Sequence, residues 1–421
     1  MMRMKACNIN SNNPFYMKLK RRNFIGSTGI ALLAGITGEA WSQVLSGSDS
    51  KITSVTLYLV NVTKARNFSH STWENRQHVF ISLKSGGFTG WAEALANKND
   101  LEFDIKKWGG FFNELKGLTV ASAIDYCREQ FLNNRWQHRM SEPALMALYD
   151  LKGRLQNKPS IELFGLDNRA PVPGLFCILE KDVKQALIQA EIAKQQNLTS
   201  HVKVKLFGNR EVDLALIISL RKSFGPATYL IADANRGYKE WKSIDELAGI
   251  MKELNLAGMD AIEDPATLTT EQWIELQKKV GSLDLIPDYP MRPAYKALKE
   301  FTPATGNVFN IHPDTMGTFL ETISLGKTIK KNDKRLMIGD SSFVGPACTF
   351  WQQLAIGLGA SWVEALEKPQ ESDVFHHCVK RKSTILNSMG KVEIKKMYPG
   401  FGLEMDEDRL EKLADKTVHL Y

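Results

Sequence analysis

Three acidic residues each close a short apolar segment in the middle of the chain: Asp233 in IADAN, Glu263 in AIEDP and Asp288 in LIPD. If these segments are neighbouring parallel strands, their carboxylates meet at one edge and repel each other unless a cation neutralises them. Ligands that are all oxygens, with room for water and substrate, suit Mg²⁺ or Mn²⁺. A single one of these carboxylates is better explained by a strand-end turn or a helix cap. The three together predict a divalent-metal site.

Two lysines precede these acids on the segment HVKVK. Because alternate residues of a strand share a face, we expect Lys203 and Lys205 both to point into the interior, where lysine is rarely buried without a reason. Close to a metal ion and a second ammonium group, the pKa of a lysine falls, and it can act as a base near neutral pH. The alternative is a solvated pair at a sheet edge, against which the flanking Val202, Val204 and Leu206 argue.

The region from residue 172 onward alternates short apolar segments with amphipathic helical patterns. This alternation predicts parallel strands with crossover helices, and eight units in a row favour a closed barrel over an open sheet. The predicted fold is therefore α/β: a (β/α)7β-type TIM barrel with an α+β N-terminal capping domain. The eight predicted strands are 174–179, 202–206, 229–233, 259–263, 284–288, 307–312, 335–340 and 361–364.

Charged residues end most of these predicted strands. They are Lys205, Asp233, Glu263, Asp288, Asp340 and Glu364. The carboxyl ends of the strands open on one mouth of such a barrel, and the catalytic groups sit there. We therefore expect all of these side chains at one mouth.

The chain before the barrel divides into a leader and a cap. Residues 1–40 have a twin-arginine pattern at Arg21 and Arg22, a short apolar stretch and a small-residue cleavage candidate. This pattern predicts a twin-arginine signal peptide and a protein that is periplasmic or otherwise exported by the twin-arginine route. An uncleaved N-terminal tail is the alternative, and Met17 is a second candidate start. Residues 51–170 show alternating strands and then helical patterns, the clearest over 142–151 with a proline near its start.

The charge of the chain argues against a nucleic-acid partner. The net charge is +7, but the first 40 residues carry six basic side chains and one acidic, which leaves +2 for the rest. A near-neutral body gives no electrostatic basis for nucleic-acid binding. The apolar stretch of the leader is too short to span a bilayer, so we expect no membrane association after its removal. A homo-oligomer stays open.

At this point the residues resemble a known family. The motifs KVK, DAN, IEDP and IPD on predicted strands two to five resemble the enolase superfamily, in its mandelate racemase and muconate lactonizing branches. The resemblance covers nearly everything after the leader. Residues 90–94 (GWAEA) are similar to a turn of the family's cap, 147–153 (ALYDLKG) to the helix that leads into the barrel, and 399–403 (PGFGL) to the tail that returns to the cap. We therefore divide the mature chain into a cap at 51–170, a barrel at 171–370 and a returning segment at 371–421.

The resemblance implies roles for particular residues. Asp233, Glu263 and Asp288 would be the metal ligands, Lys205 the base and Lys203 its electrostatic neighbour. Glu364 is similar to the strand-eight acid that hydrogen-bonds the substrate carboxylate. Enolase-superfamily sites use a lysine or histidine base with one or two Mg²⁺ ions that stabilise an enediolate.

The opposite face of the site departs from both branches. Asn310 stands where the muconate-lactonizing branch has a second lysine on strand six. Asp314 could match the strand-six aspartate of the mandelate branch, but Asp340 sits where that branch has a histidine. His312 shares strand parity with Asn310 and is a candidate for the missing acid, although a lone histidine is as often structural.

These residues predict a metal-dependent isomerase of the racemase or epimerase type that removes the α-proton of a small-molecule carboxylate. The first alternative is a lyase with a dehydratase-like elimination from a hydroxy or sugar acid, because the opposite-face acid is unassigned. The second is a non-catalytic exported binding protein on a barrel scaffold, against which the intact ligand triplet argues. A cap loop at 66–73, with His70 and Trp73, is a candidate for substrate contact, and an ordinary surface loop explains it equally well.

Overall fold

The computed structural model describes residues 50–69, 71–100 and 102–421, so the predicted leader at 1–40 and His70 lie outside the described residues. Strands are numbered here in chain order. They are β1 (Ile52–Val62), β2 (Arg66–Asn67), β3 (Thr72–Trp73), β4 (Arg76–Ser85), β5 (Phe88–Lys98), β6 (Val172–Pro173), β7 (Leu175–Ile178), β8 (His201–Lys205), β9 (Tyr229–Asp233), β10 (Ala261–Glu263), β11 (Asp284–Ile286), β12 (Val308–Ile311), β13 (Arg335–Ile338), β14 (Trp362–Val363), β15 (Val379–Arg381), β16 (Thr384–Leu386), β17 (Lys391–Ile394), β18 (Glu404–Met405) and β19 (Lys416–Leu420).

The α-helices alternate with the barrel strands and also cover the cap. They are α1 (Ile105–Trp108), α2 (Val120–Leu132), α3 (His138–Leu155), α4 (Ser160–Leu163), α5 (Val183–Gln195), α6 (Arg210–Phe224), α7 (Ile244–Leu256), α8 (Thr270–Lys279), α9 (Ala294–Glu300), α10 (Phe319–Lys331), α11 (Pro346–Leu358), α12 (Asp373–Cys378) and α13 (Glu407–Leu413). Short 3₁₀ turns span Gly109–Leu115, Tyr289–Met291 and Pro303–Thr305. Among the described residues, no helix combines the length and apolarity needed to cross a bilayer.

The cap is built on an antiparallel sheet in the order β19-β1-β4-β5. Leu57 on β1 pairs with Ile81 on β4, and both side chains are fully buried, as the alternating pattern predicts. α3 packs against β5, where a Cβ on Gly90 would lie 2.2 Å from the carbonyl oxygen of Ala147. Glycine is therefore required at residue 90 for the helix to pack this closely.

Helix α3 begins at His138, earlier than the sequence pattern predicts. Pro143 therefore lies inside the second turn and not at the start of the helix. A proline there has no N–H to donate to the preceding turn, and the helix continues because its buried face packs on the cap sheet.

The eight parallel strands of the predicted barrel are confirmed as β7 to β14. Five form the order β11-β10-β9-β8-β7 and three form β12-β13-β14. The two runs meet through a parallel bridge between Gly174 and Val363, and through a hydrogen bond from Asn310 N to Pro287 O at 3.2 Å. The fold is thus a TIM barrel with a β-rich cap, and the last strand of the chain, β19, completes the cap sheet beside β1.

The barrel interior below the mouth is an apolar layer. Its buried members come one from each of seven barrel strands: Leu175, Ile231, Ala261, Ile286, Val308, Met337 and Trp362. On the remaining barrel strand, β8, the inward-facing residue level with Ile231 is Lys203. The polar site therefore begins where this apolar layer ends.

Two buried carboxylates join the cap, the barrel and the tail. Asp150 on α3 accepts backbone N–H bonds from Trp91 at 2.9 Å and Phe401 at 2.6 Å, so it links the three segments that carry the family-like motifs. Glu93 on β5 accepts backbone N–H bonds from Val344 at 2.8 Å and Gly345 at 2.9 Å. These N–H groups stand at the start of α11, where a carboxylate is favoured by the unpaired donors of the helix end. The cap is thereby fixed over the barrel mouth.

Candidate active site

Strand pairing brings the predicted base and two predicted metal ligands to one level of the mouth. Lys205 on β8 pairs in register with Asp233 on β9, which pairs with Glu263 on β10. Lys203 lies one inward-facing position deeper. All four residues are at most 7% exposed. Four ionisable groups buried side by side must compensate one another's charge, because burial disfavours every unpaired ion.

Lys205 is held by the last residue of β9 and by the loop that follows it. Its Nζ contacts the carboxylate of Asp233 and donates to Asn235 Oδ1 at 3.1 Å. The ring centroid of Phe68, from the cap, lies 5.2 Å from the same nitrogen. Burial lowers the pKa of Lys205, but the charge of Asp233, with smaller contributions from Cys177 and Glu263, opposes it, and the pKa is raised.

The lowered Lys205 pKa predicted from the sequence refers to a site that holds a metal ion, whereas the protein groups by themselves raise this pKa. Lys203 acts in the expected direction, since its ammonium group lowers the pKa of Lys205, but Asp233 is the nearer charge. A base role for Lys205 requires that a cation take up the charge of Asp233.

Lys203 connects acids from three strands. Its Nζ lies 2.5 Å from Glu364 Oε2, 3.2 Å from Glu263 Oε2 and 3.7 Å from Asp233 Oδ2. Burial opposes its charge, but these carboxylates raise the pKa of Lys203 well above its ordinary value. Lys203 therefore stays protonated, and it draws Glu364, which follows β14 two strands away, into the same cluster.

The two metal-ligand candidates on β9 and β10 differ in how readily they ionise. Burial acts against the charge of Asp233, yet Lys205 and Lys203 lower its pKa to about 2. For Glu263, burial and then the charge of Asp233 raise the pKa well above the ordinary range. Its Oε1 accepts from Asn310 Nδ2 at 2.8 Å. The site needs more positive charge for all of its carboxylates to ionise together.

Asp288 lies two residues beyond the end of β11 and forms an ion pair with Arg292. The Nε of Arg292 donates to Asp288 Oδ1 at 2.9 Å, and its Nη2 donates to Oδ2. The neighbouring Asp264 accepts the backbone N–H of Asp288 at 3.1 Å and that of Tyr289. Burial and then the charge of Asp288 raise the pKa of Asp264 to about 7.

The residues fit a divalent cation in donor type and in charge. Asp233, Glu263 and Asp288 offer only oxygen ligands at the ends of three adjacent strands. Burial and then the charges of Asp233 and Asp288 raise the pKa of Glu263. Within the part of the chain that the structure describes, however, no three acidic, histidine or cysteine side chains form a ready-made cation site. Arg292 accounts for this at Asp288, whose two oxygens it holds.

The opposite wall carries His312 and Asp314, both beyond β12. His312 Nδ1 donates to the Pro313 carbonyl oxygen at 2.8 Å, which leaves Nε2 as an acceptor. Burial and the Arg292 guanidinium lower the pKa of His312 to about 4. Near neutral pH it is therefore uncharged, contrary to the expectation that it supplies an acid.

Asp314 is the better proton carrier of this wall. Burial raises its pKa to about 6, although Arg139 of the cap, whose Nε lies 3.4 Å from Oδ2, favours the ionised form. Its backbone N–H donates to the buried Glu142 at 2.8 Å, which fixes the loop. A carboxyl group with this pKa exchanges protons near neutral pH.

The two remaining predicted residues have different surroundings. Asp340, two residues beyond β13, accepts from Phe343 N at 3.1 Å and pairs with Lys368 Nζ at 3.0 Å, so its charge is compensated by a lysine from the loop after β14. Glu364, directly beyond β14, faces Lys203. Both line the same cavity, of about 280 Å³, as the catalytic candidates.

The cap supplies part of the cavity wall. The hairpin of β2 and β3 places Phe68 and Trp73 there, with their ring centroids 4.4 Å apart, so Trp73 of the predicted cap loop reaches the site. Lys98 Nζ lies 3.3 Å from the Trp73 ring centroid. Burial and Arg139 lower the pKa of Lys98 to about 7. Arg66 pairs with Glu371 of the tail at 2.8 Å.

Sequence reasoning missed several residues of this cavity: Asp264, Arg292, Lys98, Arg139 and Arg236. Asp264 stands beside Glu263 in the quoted EDP motif, and this adjacency was the available signal. The basic residues lie in loops or in the cap and repeat no spacing, so the sequence offered no sign of them.

Comparison with known proteins identifies the family of the chain. Residues 185–409 match the family described as enolase C-terminal domain-like. Muconate cycloisomerase 1 of Acinetobacter baylyi is 23% identical over 381 residues, 86% of this chain and 98% of that protein. An L-Ala-D/L-amino acid epimerase of a Maribacter species is 25% identical over 226 residues, 52% of this chain and 62% of that protein.

A solved structure shares the fold. The dipeptide epimerase of Cytophaga hutchinsonii, complexed with Mg and the dipeptide D-Ala-L-Val, superposes with a TM-score of 0.73 at 15% identity, over 88% of this chain and all of that one. The family match covers more than half of the chain, and the barrel and cap agree with the family's fold. The resemblance inferred from the motifs is thus confirmed: this chain is an enzyme of the enolase superfamily.

Proposed function

We propose that the protein is an isomerase of the racemase or epimerase type, which removes and returns the proton on the carbon next to a carboxylate. The observation that carries the proposal is the buried row of Lys205, Asp233 and Glu263 across β8, β9 and β10, with Lys203 beneath it. Curated relatives named as a cycloisomerase and an epimerase support the same reaction class.

In the proposed reaction, Lys205 takes the α-proton onto Nζ, and the electron pair of the broken C–H bond moves into the substrate carboxylate to give an enediolate. Mg²⁺ or Mn²⁺ bound by Asp233, Glu263 and Asp288 would supply Lewis-acid stabilisation of that charge. Lys203 keeps its proton, holds Glu263 and Glu364 in place, and lowers the pKa of Lys205.

The proton returns from one of two faces. We assign the opposite face to Asp314, because its pKa of about 6 lets it donate and accept near neutral pH and it lines the same cavity as Lys205. Return from Asp314 inverts the carbon, and return from Lys205 retains it. His312 presents a hydrogen-bond acceptor to substrate in this assignment, and Glu364 a polar contact for the carboxylate end.

The substrate is a small carboxylate. Lys98 and Arg139 of the cap, with Arg236 and Arg292 of the barrel loops, line the cavity and favour an anionic ligand. The Phe68 and Trp73 rings offer an apolar wall to the rest of the molecule. Dipeptides, N-acylated amino acids and hydroxy acids all meet these requirements, so a library of these three classes is the appropriate screen.

A lyase is the second candidate, on a specific observation. Asn310 on β12 is neutral and donates to Glu263, so this strand provides no second amine base. Asp314, which follows β12, would protonate a leaving group. Incubation of the library in D₂O, followed by ¹H NMR, separates the two. Deuterium at the α-carbon with both configurations present supports the isomerase, and a single configuration with an unsaturated product supports the lyase. No exchange with any compound would contradict both.

The metal ligands are tested separately from the reaction. Mn²⁺ titrated into the chelator-stripped protein should bind with one ion per chain, and Glu263→Gln should weaken binding, because a neutral amide replaces a buried anionic ligand. Glu240→Gln, an exposed position on the loop after β9, is the matched control. Equal affinity of Glu263→Gln and the unaltered protein would refute this ligand assignment.

A further inference from the structure

Arg292 binds both carboxylate oxygens of Asp288, the metal-ligand candidate after β11. It follows the 3₁₀ turn Tyr289–Met291, which begins directly after Asp288. Its Nε and Nη2 donate to the two different oxygens of that carboxylate. A planar guanidinium matches a carboxylate in this two-point geometry, whereas an ammonium group acts as a point charge. Asp288 is thus the carboxylate whose two oxygens are taken by one cation.

The guanidinium lies on the cavity side of Asp288. Arg292 lines the cavity together with Asp233, Asp264 and Asp288, and its side chain is 20% exposed, against 4% for Asp288. The acids whose charges favour its protonated form are Asp288, Asp264 and Glu263, although its burial acts the other way. A cation with these neighbours stands among the metal-ligand candidates and not behind them.

Acids outnumber cations at the mouth. Lys205 pairs with Asp233, Lys203 pairs with Glu263 and Glu364, and Arg292 pairs with Asp288, while Asp264 lines the same cavity. A divalent ion therefore suits the charge of the cluster, but it needs an oxygen of Asp288, and Arg292 holds both of them. Arg292 must leave this carboxylate for the ion to bind there, and its side chain is the most exposed of the three cations.

We propose that Arg292 is a resident counter-ion that competes with the divalent metal for Asp288, so that metal binding requires the guanidinium to leave this carboxylate. The inference rests on the proposed metal site. This competition predicts that the strength of the Arg292–Asp288 ion pair limits the metal affinity of the three carboxylates. It also makes Arg292 a switch between two arrangements of the mouth, with its guanidinium on Asp288 in one and turned into the cavity in the other.

If Arg292 instead supported Asp288 as a metal ligand, its loss would change the metal affinity in the opposite direction. A residue that supports a metal ligand from behind orients it, and loss of such a residue typically costs 10–100-fold in metal affinity. A competitor that is lost leaves the ligand free, and affinity rises. Direct metal binding therefore distinguishes the two roles without any measurement of activity.

The experiment is a titration of Mn²⁺ into chelator-stripped full-length protein, with free Mn²⁺ followed by electron paramagnetic resonance. Arg292→Met, which keeps the length of the side chain and removes its charge, should bind Mn²⁺ tighter by about tenfold or more. Arg292→Lys, which keeps the charge but loses the two-point geometry, should fall between Arg292→Met and the unaltered protein. Arg210→Met removes a guanidinium that pairs with Glu253 away from the cavity, and it should change affinity little.

The outcomes separate the inference from the proposed function. Equal or weaker binding by Arg292→Met and Arg292→Lys, with one Mn²⁺ still bound by the unaltered protein, would overturn the competitor role and leave the metal site standing. Failure of every protein to bind Mn²⁺ would overturn both. Arg292→Gln replaces Arg292→Met if circular dichroism shows that the methionine variant is unfolded, and the same increase in affinity is expected of it.

Discussion

Replacement of Lys205 by methionine tests the proposed base most directly. The substitution keeps the approximate length of the side chain and removes the amine at the end of β8, beside Asp233 and under the ring of Phe68. A positioned general base typically contributes 10²–10⁴-fold to a rate, or roughly 3–5 kcal/mol of the barrier. We expect exchange of the α-proton to fall by this factor.

The other residues of the site should keep their arrangement in Lys205→Met. Lys203 Nζ stays 3.7 Å from the carboxylate of Asp233, and two unit charges at that distance attract by about 4.5 kcal/mol at an effective dielectric constant near 20. Asp233 is therefore not left as an uncompensated buried charge. Folding and Mn²⁺ binding of Lys205→Met should both persist, so that loss of exchange reports the base itself.

The assay is the disappearance of the α-proton signal in D₂O, measured by ¹H NMR on compounds that the unaltered protein exchanges. Lys239→Met is the control, since Lys239 is exposed on the loop that follows β9. It should exchange at the rate of the unaltered protein. Exchange by Lys205→Met at more than about a tenth of that rate would refute Lys205 as the base.

Three further changes have definite expected outcomes. Lys203→Met should move the rising limb of the pH–rate profile to higher pH, because loss of the neighbouring ammonium raises the pKa of Lys205; a limb that is unmoved or lower would contradict the proposed tuning. Asp150→Asn should lower the free energy of unfolding by about 2–4 kcal/mol in urea titrations, since a buried charge with two backbone donors becomes a neutral amide; a loss below about 0.5 kcal/mol would show that this junction is not needed. We also propose export by the twin-arginine route, so replacement of Arg21 and Arg22 by lysine should retain the protein in the cytoplasm of its native host, and unchanged delivery in cell fractions would exclude that route.

The barrel could be predicted from the sequence because its signals are local. Most of the β/α units repeat an apolar segment with a charged residue at its carboxyl end, followed by a helical pattern. Both patterns can be read from neighbouring residues alone. The predicted strand ends at Asp288 and Asp340 are each two residues past the observed strands, β11 and β13. The family resemblance rested on the same short motifs, and the comparisons confirm it.

The motifs of the cap and tail could be recognised but not explained from the sequence. Trp91, Asp150 and Phe401 are distant in the chain, and only the fold shows that one carboxylate accepts the backbone N–H of the other two. The same holds for Glu93, which binds the start of α11 across the boundary between cap and barrel.

The sequence by itself determined which groups stand at the barrel mouth, because strand parity and the repeat of β/α units fix the direction in which Lys203, Lys205 and the acids point. Only the tertiary structure decided how these charges pair. Whether the pKa of Lys205 rises or falls depends on a few ångströms between its amine, Asp233 and Lys203, and residue order does not contain those distances. The pairing of Arg292 with Asp288 likewise depends on a loop conformation, since Coulomb energies vary with distance and local polarity and not with sequence spacing.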